Sequence, residues 1–301
     1  MTTATANTMS QQSAQQSATM NTAPAKAEKF RKDRRINWWL TAVVAVFSLT
    51  ILVPLYFTVV TALKTPAEAG TFSLPTSWQW GNFAAASAKV DYPRAALNSA
   101  IITVLAVSLT LVTNTFVAYA IARNMDKRFF RFLYYFFIAA MFVPFPVVML
   151  PLAKQMGSWH LDNQAGLIVL YVILGLGTNL FIATGFIRSI PVSLEEAARI
   201  DGAGTWRIFW KIIFPLMGPI NATIAIMTAL WAWNDFLLPS LVLTDKKLLT
   251  LPLSTYSFYG TYSADYGTIM AGLLLCVIPI LILYVALQKQ IINGVVAGAV
   301  K

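Results

Sequence analysis

The sequence predicts an all-α membrane protein with six transmembrane helices, and three observations carry that expectation. Hydrophobic residues are 57% of the chain and charged residues only 11%, against roughly 25% charged in a soluble domain. The apolar residues fall into six runs, about 38–63, 96–122, 132–153, 165–187, 214–240 and 266–288. Each is long enough, near the ~20 residues a helix needs to cross hydrocarbon. The 22 Lys and Arg residues are spread unevenly over the connecting segments. Composition also bounds the chemistry. The formal charge of +10 does not point to nucleic acid, because the basic residues cluster beside apolar spans. One cysteine, Cys276, allows no intrachain disulfide, and with one histidine, His160, it cannot supply the ligands of a metal site.

The N-terminal segment, 1–36, precedes the first run. Thr, Ala, Gln, Ser and Asn dominate residues 1–25, and no charge occurs before Lys26. This segment has no core-forming pattern and is expected to be a disordered cytoplasmic tail. It does not read as a signal peptide, since the basic cluster Lys26, Lys29, Arg31, Lys32, Arg34 and Arg35 follows it rather than leading it. Six spans in 37–290 put both termini on one side. With the N-terminus inside, the inner segments hold that cluster together with Arg123, Lys127, Arg128, Arg131, Arg188, Arg199, Arg207, Lys211, Lys289 and Lys301. The outer segments hold only Lys64, Lys89, Arg94, Lys154, Lys246 and Lys247. Basic residues are retained on the cytoplasmic side, so a multi-pass protein of the cell membrane with N and C termini inside is expected, 291–301 forming a cytoplasmic tail. Trp38, Trp39 and Trp78 read as interface anchors.

Helix breakers punctuate the runs. Pro54 lies in the first, Pro144, Pro146 and Pro151 in the third, Gly175 and Gly177 in the fourth, Pro219 and Pro239 in the fifth, and Pro279 in the sixth. Proline frees backbone carbonyls that neighbours or cavity water must satisfy. Ordinary kinking is one reading; bending of spans three and five around a gated path is the other.

The connection between runs four and five is polar and patterned. Ser193-Leu194-Glu195-Glu196 fits a capping box, with Ser193 as N-cap and Glu196 three residues on. A short helix should reach about Asp201, where Gly202 and Gly204 stop it and permit a turn through positive φ. Ala197 and Ala198 let another backbone approach. In a second short helix Trp206, Phe209, Trp210 and Ile213 share one face at helical spacing, while Arg207 and Lys211 line another. Such a helix could rest on the inner leaflet. A compact hairpin with small residues at its bend also suits a groove of another protein.

That segment reads Glu-Ala-Ala, three residues, Gly202, nine residues, then Ile212-x-x-Pro215. It resembles the cytoplasmic loop of permease subunits of ATP-binding-cassette importers, with Phe214 where leucine is usual. Further similar stretches are 54–64 (Pro-Leu-Tyr-Phe-Thr-Val-Val-Thr-Ala-Leu-Lys), Asn98-Ser99, Trp233-Asn234-Asp235-Phe236 and the C-terminal 290–301, ending Gly-Ala-Val-Lys. They look like the smaller permease subunit of maltose and multiple-sugar uptake systems, from residue 36 onward. The resemblance implies a type I ABC importer permease fold. It implies that Glu196 meets a basic residue of an ATPase, that Gly202 forms the bend, and that 203–211, including Ala203, is a coupling helix. It further implies a second, paralogous permease, two ATPase subunits, an extracytoplasmic sugar-binding protein and surrounding lipid as partners. The chain lacks the G-x-x-x-x-G-K-[ST] phosphate loop. ATP and Mg are therefore expected in the partner ATPase, with no cofactor and no enzymatic activity in this chain.

For the substrate path, Asp235 is the only acidic residue within the apolar runs, and it neighbours Trp231, Trp233 and Asn234. A charge at mid-bilayer costs about 2.5–3.5 kcal/mol on insertion scales, so Asp235 should face protein or water. Trp231, Asn234 and Asp235 are the types that stack on and hydrogen-bond a sugar; a helix–helix contact is the plainer role. Asn114 and Asn179 could line the path or serve as interhelical glue. The rival expectations are an ion-gradient-driven secondary transporter, which should bury several charges and repeat internally, and an ABC permease for a non-sugar solute.

Overall fold

A computed structural model describes residues 37–256, 258 and 265–299; the expected N-terminal tail lies outside them. All regular structure among the described residues is helical: α1 Trp38–Ala62, α2 Gly81–Lys89, α3 Tyr92–Ala122, α4 Arg128–Ala140, α5 Phe145–Ser158, α6 Gln164–Ile187, α7 Ser193–Ile200, α8 Thr205–Ile208, α9 Gly218–Asn234, α10 Leu237–Val242, α11 Leu251–Thr255 and α12 Tyr266–Ala299. A π-helical turn, Phe209–Ile213, and a short helix, Phe214–Leu216, continue α8. The chain divides into two units, Met1–Tyr56 and Phe57–Lys301, with the boundary inside α1.

Helices α1, α3 and α6 are each long and apolar enough to cross a membrane alone. The third and fifth apolar runs differ from a simple span. Run 132–153 is two helices, α4 and α5, bent by 102°. Pro144 and Pro146 explain the break. Neither has an N–H to extend α4, yet Pro144 suits the cap and Pro146 the first turn of α5. Run 214–240 becomes α9 over Gly218–Asn234, preceded by the Thr205–Leu216 segment at 79° and followed by the separate α10. Pro215 and Pro219 bracket the first break, and Asp235, with extended backbone, makes the second. The expected run 266–288 also lengthens, α12 continuing to Ala299 into the segment expected to be a tail.

The most extensive packing in the second unit is α3 against α6, with α9 against α3 and α12. Lipid is as apolar as leucine, so helices in a membrane associate through close contact of small residues and polar glue rather than by burying oil from water. Most of the buried residues of α3 follow that rule, among them Ala95, Ser99, Thr103, Ala106, Thr110, Asn114, Ala118 and Ala122, with Ile102, Tyr119 and Ile121 the large exceptions. The glycines of α6 do not break it. A Cβ on Gly177 would lie 2.8 Å from the Phe137 carbonyl and 2.6 Å from Met141, so glycine lets α4 lie close on α6.

On the side expected to be outer, hydrogen bonds tie the loops down. Lys64, counted above only as an outer charge, is fully buried and donates to the Thr71 carbonyl at 2.6 Å. Asn82 donates to the carbonyls of Ala62 and Lys64. The Thr76 hydroxyl donates to Glu68, and that bond holds the Glu68 carboxyl below its ordinary value. Asn98 donates to the carbonyls of Lys247 and Leu249, while Ser99 accepts from the Leu251 N–H at 2.8 Å.

Candidate functional site

The hairpin between α6 and α9 starts one residue earlier than its sequence suggests. Val192 caps α7 through backbone alone: the N–H groups of Glu195 and Glu196 both reach the Val192 carbonyl. Ser193 is already helical and makes no side-chain cap, so the expected capping box does not form. Pro191 supplies the reason, since its carbonyl accepts from Leu194 N–H and the turn closes before Ser193. Glu196, with no backbone to cap, is exposed.

The end of α7 is a Schellman motif. Ala203 N–H reaches the Ala198 carbonyl at 2.9 Å, and Gly202 N–H reaches Arg199 at 3.0 Å. Gly202 has φ +80°, a left-handed conformation that glycine adopts without steric cost. Gly204 differs from expectation: its φ is −73°, the extended backbone of an N-cap before α8.

One residue that pattern reading passed over holds this hairpin in place. Glu195 is fully buried. Its carboxylate accepts from Arg123 Nε at 2.6 Å, from the Tyr119 hydroxyl at 2.8 Å, and from Arg199 at 3.4 Å. Arg123 also donates to the Ile190 carbonyl at 3.0 Å. The end of α3 is thereby bonded to both ends of the α6–α7 connection. A buried charge persists only when paired and hydrogen-bonded, and Glu195 meets both conditions. The available signal was the spacing of Glu195 and Ala198, which share the inner face of a short helix. Arg123 had been counted only for its sign.

The second half of the hairpin corrects the single aromatic face. Ile208, Phe209, Ile213 and Met217 are fully buried, whereas Trp206 is 62% exposed and Trp210 37% exposed. The wider π-helical turn shifts the register within this segment, so a 3.6-residue period does not carry through. Phe209 is the hub, meeting the rings of Phe116, Tyr119, Trp210 and Phe214. Trp206 lies flat on Phe116 at 4.5 Å and 7°. The outward side carries Glu196, Ala197, Asp201, Gly202, Gly204, Trp206, Arg207 and Lys211, with Pro215 also exposed; Ala198 and Phe209 face in, and Ala203 packs against the core. Ile200, unremarked in the sequence, is 87% exposed at the tip. The tip therefore mixes acid, base, an aromatic ring and an aliphatic side chain over a rigid apolar base.

The path candidates separate into different roles. Asn114 donates to the Val172 carbonyl at 3.2 Å, a bond from α3 to α6. Asn234 donates to Leu230 in its own helix. Asp235 accepts from the Tyr171 hydroxyl at 3.0 Å and from the N–H groups of Leu237 and Leu238, so it is occupied within the protein. Trp231 and Asn179 line a cleft of about 260 Å³ between α6 and α9. Among the described residues no group of three or more His, Cys, Asp or Glu could hold a metal.

Residues 114–296 match the family model described as binding-protein-dependent transport system inner membrane component. The chain is 36% identical over 273 residues to the probable starch degradation products transport system permease protein AmyC of Thermoanaerobacterium thermosulfurigenes, covering 90% of this chain and 99% of that one. It is 39% identical over 277 residues to the multiple sugar-binding transport system permease protein MsmG of Streptococcus mutans, covering 90% and 100%. Among solved structures, a chain of a bacterial ABC transporter involved in importing the acidic polysaccharide alginate aligns with TM-score 0.70 at 22% identity. That match covers 86% of this chain and 97% of the other, and it shows a shared fold.

Proposed function

Because the chain belongs to the binding-protein-dependent transport system inner membrane component family, and is thus a membrane transport subunit rather than an enzyme, we propose that it forms half of the translocation path of an ATP-driven oligosaccharide importer. Its hairpin docks on a separate ATPase that binds ATP and Mg. A paralogous permease completes the path, two ATPase subunits drive it, and an extracytoplasmic binding protein delivers the sugar. The observation that carries the docking assignment is the exposed tip over a buried base. A helix resting in lipid would turn its aromatic face outward, yet Phe209 and Ile213 are buried inside the protein. Ile200 and Trp206, exposed beside Glu196 and Arg207, form the mixed surface expected of a protein contact. The oligosaccharide assignment is supported by relatives such as AmyC and MsmG. The bends in spans three and five fit helices that flank a gated path.

The tagged subunit, purified from its own membrane, should bring down an ATPase and a second permease. The chain alone should bind no ATP. Proteoliposomes of the complex with its binding protein should take up one or more of raffinose, maltotriose and diacetylchitobiose only when ATP is inside. Uptake that ignores ATP but collapses with a proton or sodium gradient would establish the secondary-transporter alternative instead.

For orientation we propose six spans with both termini cytoplasmic, on the unequal distribution of basic residues. In a Cys276→Ala background, a cysteine at exposed Ala84 should react with an impermeant thiol reagent applied to intact cells. One at exposed Asp126 should react only after permeabilisation. The reverse pattern would invert the topology.

A further inference from the structure

We propose that the cleft between α6 and α9 is a contact subsite for one neutral sugar ring. This rests on the oligosaccharide reading and specifies which side chains of this subunit meet the substrate. The cleft, about 260 Å³, is lined by Gly175, Thr178, Asn179, Thr228 and Trp231. That is slightly below the roughly 300 Å³ at which pockets for drug-sized ligands begin, so it suits one ring rather than a chain. Gly175 to Asn179 lie at the middle of α6, far from either end of the helix.

Asn179 is the informative residue. Of the four buried asparagines among the described residues, Asn98, Asn114 and Asn221 each donate to a backbone carbonyl. Asn179, only 4% exposed, makes no hydrogen bond to any described residue, and it lines the cleft. Thr178 and Thr228 line it too. Some helical threonine hydroxyls here bond the carbonyl four residues back, as Thr113 and Thr223 do, while Thr103, Thr110 and Thr184 have no partner among the described residues. Thr178 and Thr228 make no such bond among the described residues. A polar group unpartnered inside a membrane protein is costly, and Asn179, whose amide is unpaired and borders a cleft, is placed for a ligand or water to complete it. Asn179, with the hydroxyl-bearing Thr178 and Thr228 lining the same cleft, offers donors and acceptors to hydroxyls.

Trp231 supplies the apolar surface. The residue is 37% exposed, and its ring is held edge-on by Tyr171 at 5.1 Å and 79°. Tyr171 is in turn fixed by its hydroxyl bond to Asp235. Asp235 is thus a positioning residue for the tryptophan rather than a sugar contact. The lining has no charged side chain. A uronate carboxylate would find no counter-charge there, so the chemistry fits a neutral, hydroxylated ring. A ring with one aromatic face and a few convergent hydrogen-bonding groups is the usual makeup of a small-molecule site.

The test uses the whole complex in proteoliposomes, with binding protein and ATP saturating, and tritiated raffinose, maltotriose and diacetylchitobiose as probes. In a Cys276→Ala background, Thr228→Cys should be modified by 2-aminoethyl methanethiosulfonate several-fold more slowly when a transported probe is present. Asp126→Cys, remote from the cleft, should show no protection. Asn179→Leu should slow uptake by up to about tenfold, the scale of lost hydrogen bonds to a neutral group. Trp231→Leu should slow it likewise, and Trp231→Phe should restore most of it. Equal modification of Thr228→Cys with and without sugar overturns the site, as does normal uptake by Asn179→Leu, while either leaves the transport reading intact. If the wild-type complex moves none of the probes, the oligosaccharide reading fails and the subsite falls with it.

Discussion

Glu195→Ala is expected to abolish uptake and loosen the hairpin without removing the protein from the membrane. The carboxylate is fully buried and satisfies Arg123, Tyr119 and part of Arg199. Its removal leaves the Arg123 guanidinium, only 13% exposed, without a counter-charge. Breaking a buried ion pair from one side costs about 3–5 kcal/mol. Arg123 keeps its bond to the Ile190 carbonyl, which places this case toward the lower end of that range. The Arg199 contact adds little, because that side chain is half exposed and water screens it. Glu195→Gln should be milder, since an amide oxygen can still accept from Tyr119. The informative partner is the double change Glu195→Leu with Arg123→Met. No charge is then left buried and alone, so stability should recover relative to Glu195→Ala, with non-additivity of about 0.5–3 kcal/mol in a double-mutant cycle. Limited trypsin digestion at Arg199 and Arg207 reports the hairpin directly. Wild-type digestion and uptake in Glu195→Ala would show that α3 does not hold the hairpin.

Gly202→Pro is expected to be equally severe for transport by a different route. Proline fixes φ near −65°, whereas Gly202 has φ +80° and gives its N–H to the Arg199 carbonyl. The turn cannot form with that residue, so the tip would leave α7 in another direction. Gly202→Ala separates strain from space. Nothing lies within 4 Å of the added Cβ. Only the left-handed backbone cost of about 1–2 kcal/mol applies, and uptake should fall without vanishing. Glu196→Lys tests the contact rather than the turn. Glu196 is exposed and bonds to no described residue through its side chain, so the hairpin should keep its trypsin pattern. On the proposed docking, with Glu196 meeting a basic residue of the ATPase, the new charge should cost several kcal/mol at the interface. ATPase copurification and sugar-stimulated hydrolysis should fall in both Gly202→Pro and Glu196→Lys. Stoichiometric ATPase with near-normal uptake in both would reduce the hairpin to a surface element.

Which parts of this were legible in the sequence follows from the range of the interactions involved. The helical class and the positions of α1, α3 and α6 follow from apolar length, because lipid demands internally satisfied backbone over a fixed thickness. The bend at Gly202 was legible because left-handed backbone selects glycine locally. The break in span three was marked by its prolines, but not its 102° angle, which depends on how α4 and α5 pack. The capping box failed because Ser193 competes with Pro191 and Val192 for the start of one helix, and the backbone closed first. The aromatic face failed because a π-helical turn changes the period, and nothing in Phe209–Ile213 announces it.

Chain-local physics therefore determined the membrane class, the long helices α1, α3 and α6, the hairpin and its bend. Tertiary structure alone decided which glutamate is buried, since Glu195 and Glu196 are adjacent and chemically identical. The choice rests on Arg123 and Tyr119 arriving from α3, more than 70 residues earlier in the chain. It likewise decided that Asp235 is occupied by Tyr171 and that Asn179 is left open to a cleft. A polar side chain carries its hydrogen-bonding capacity in the sequence, but whether a partner fills that capacity is settled only when distant helices meet.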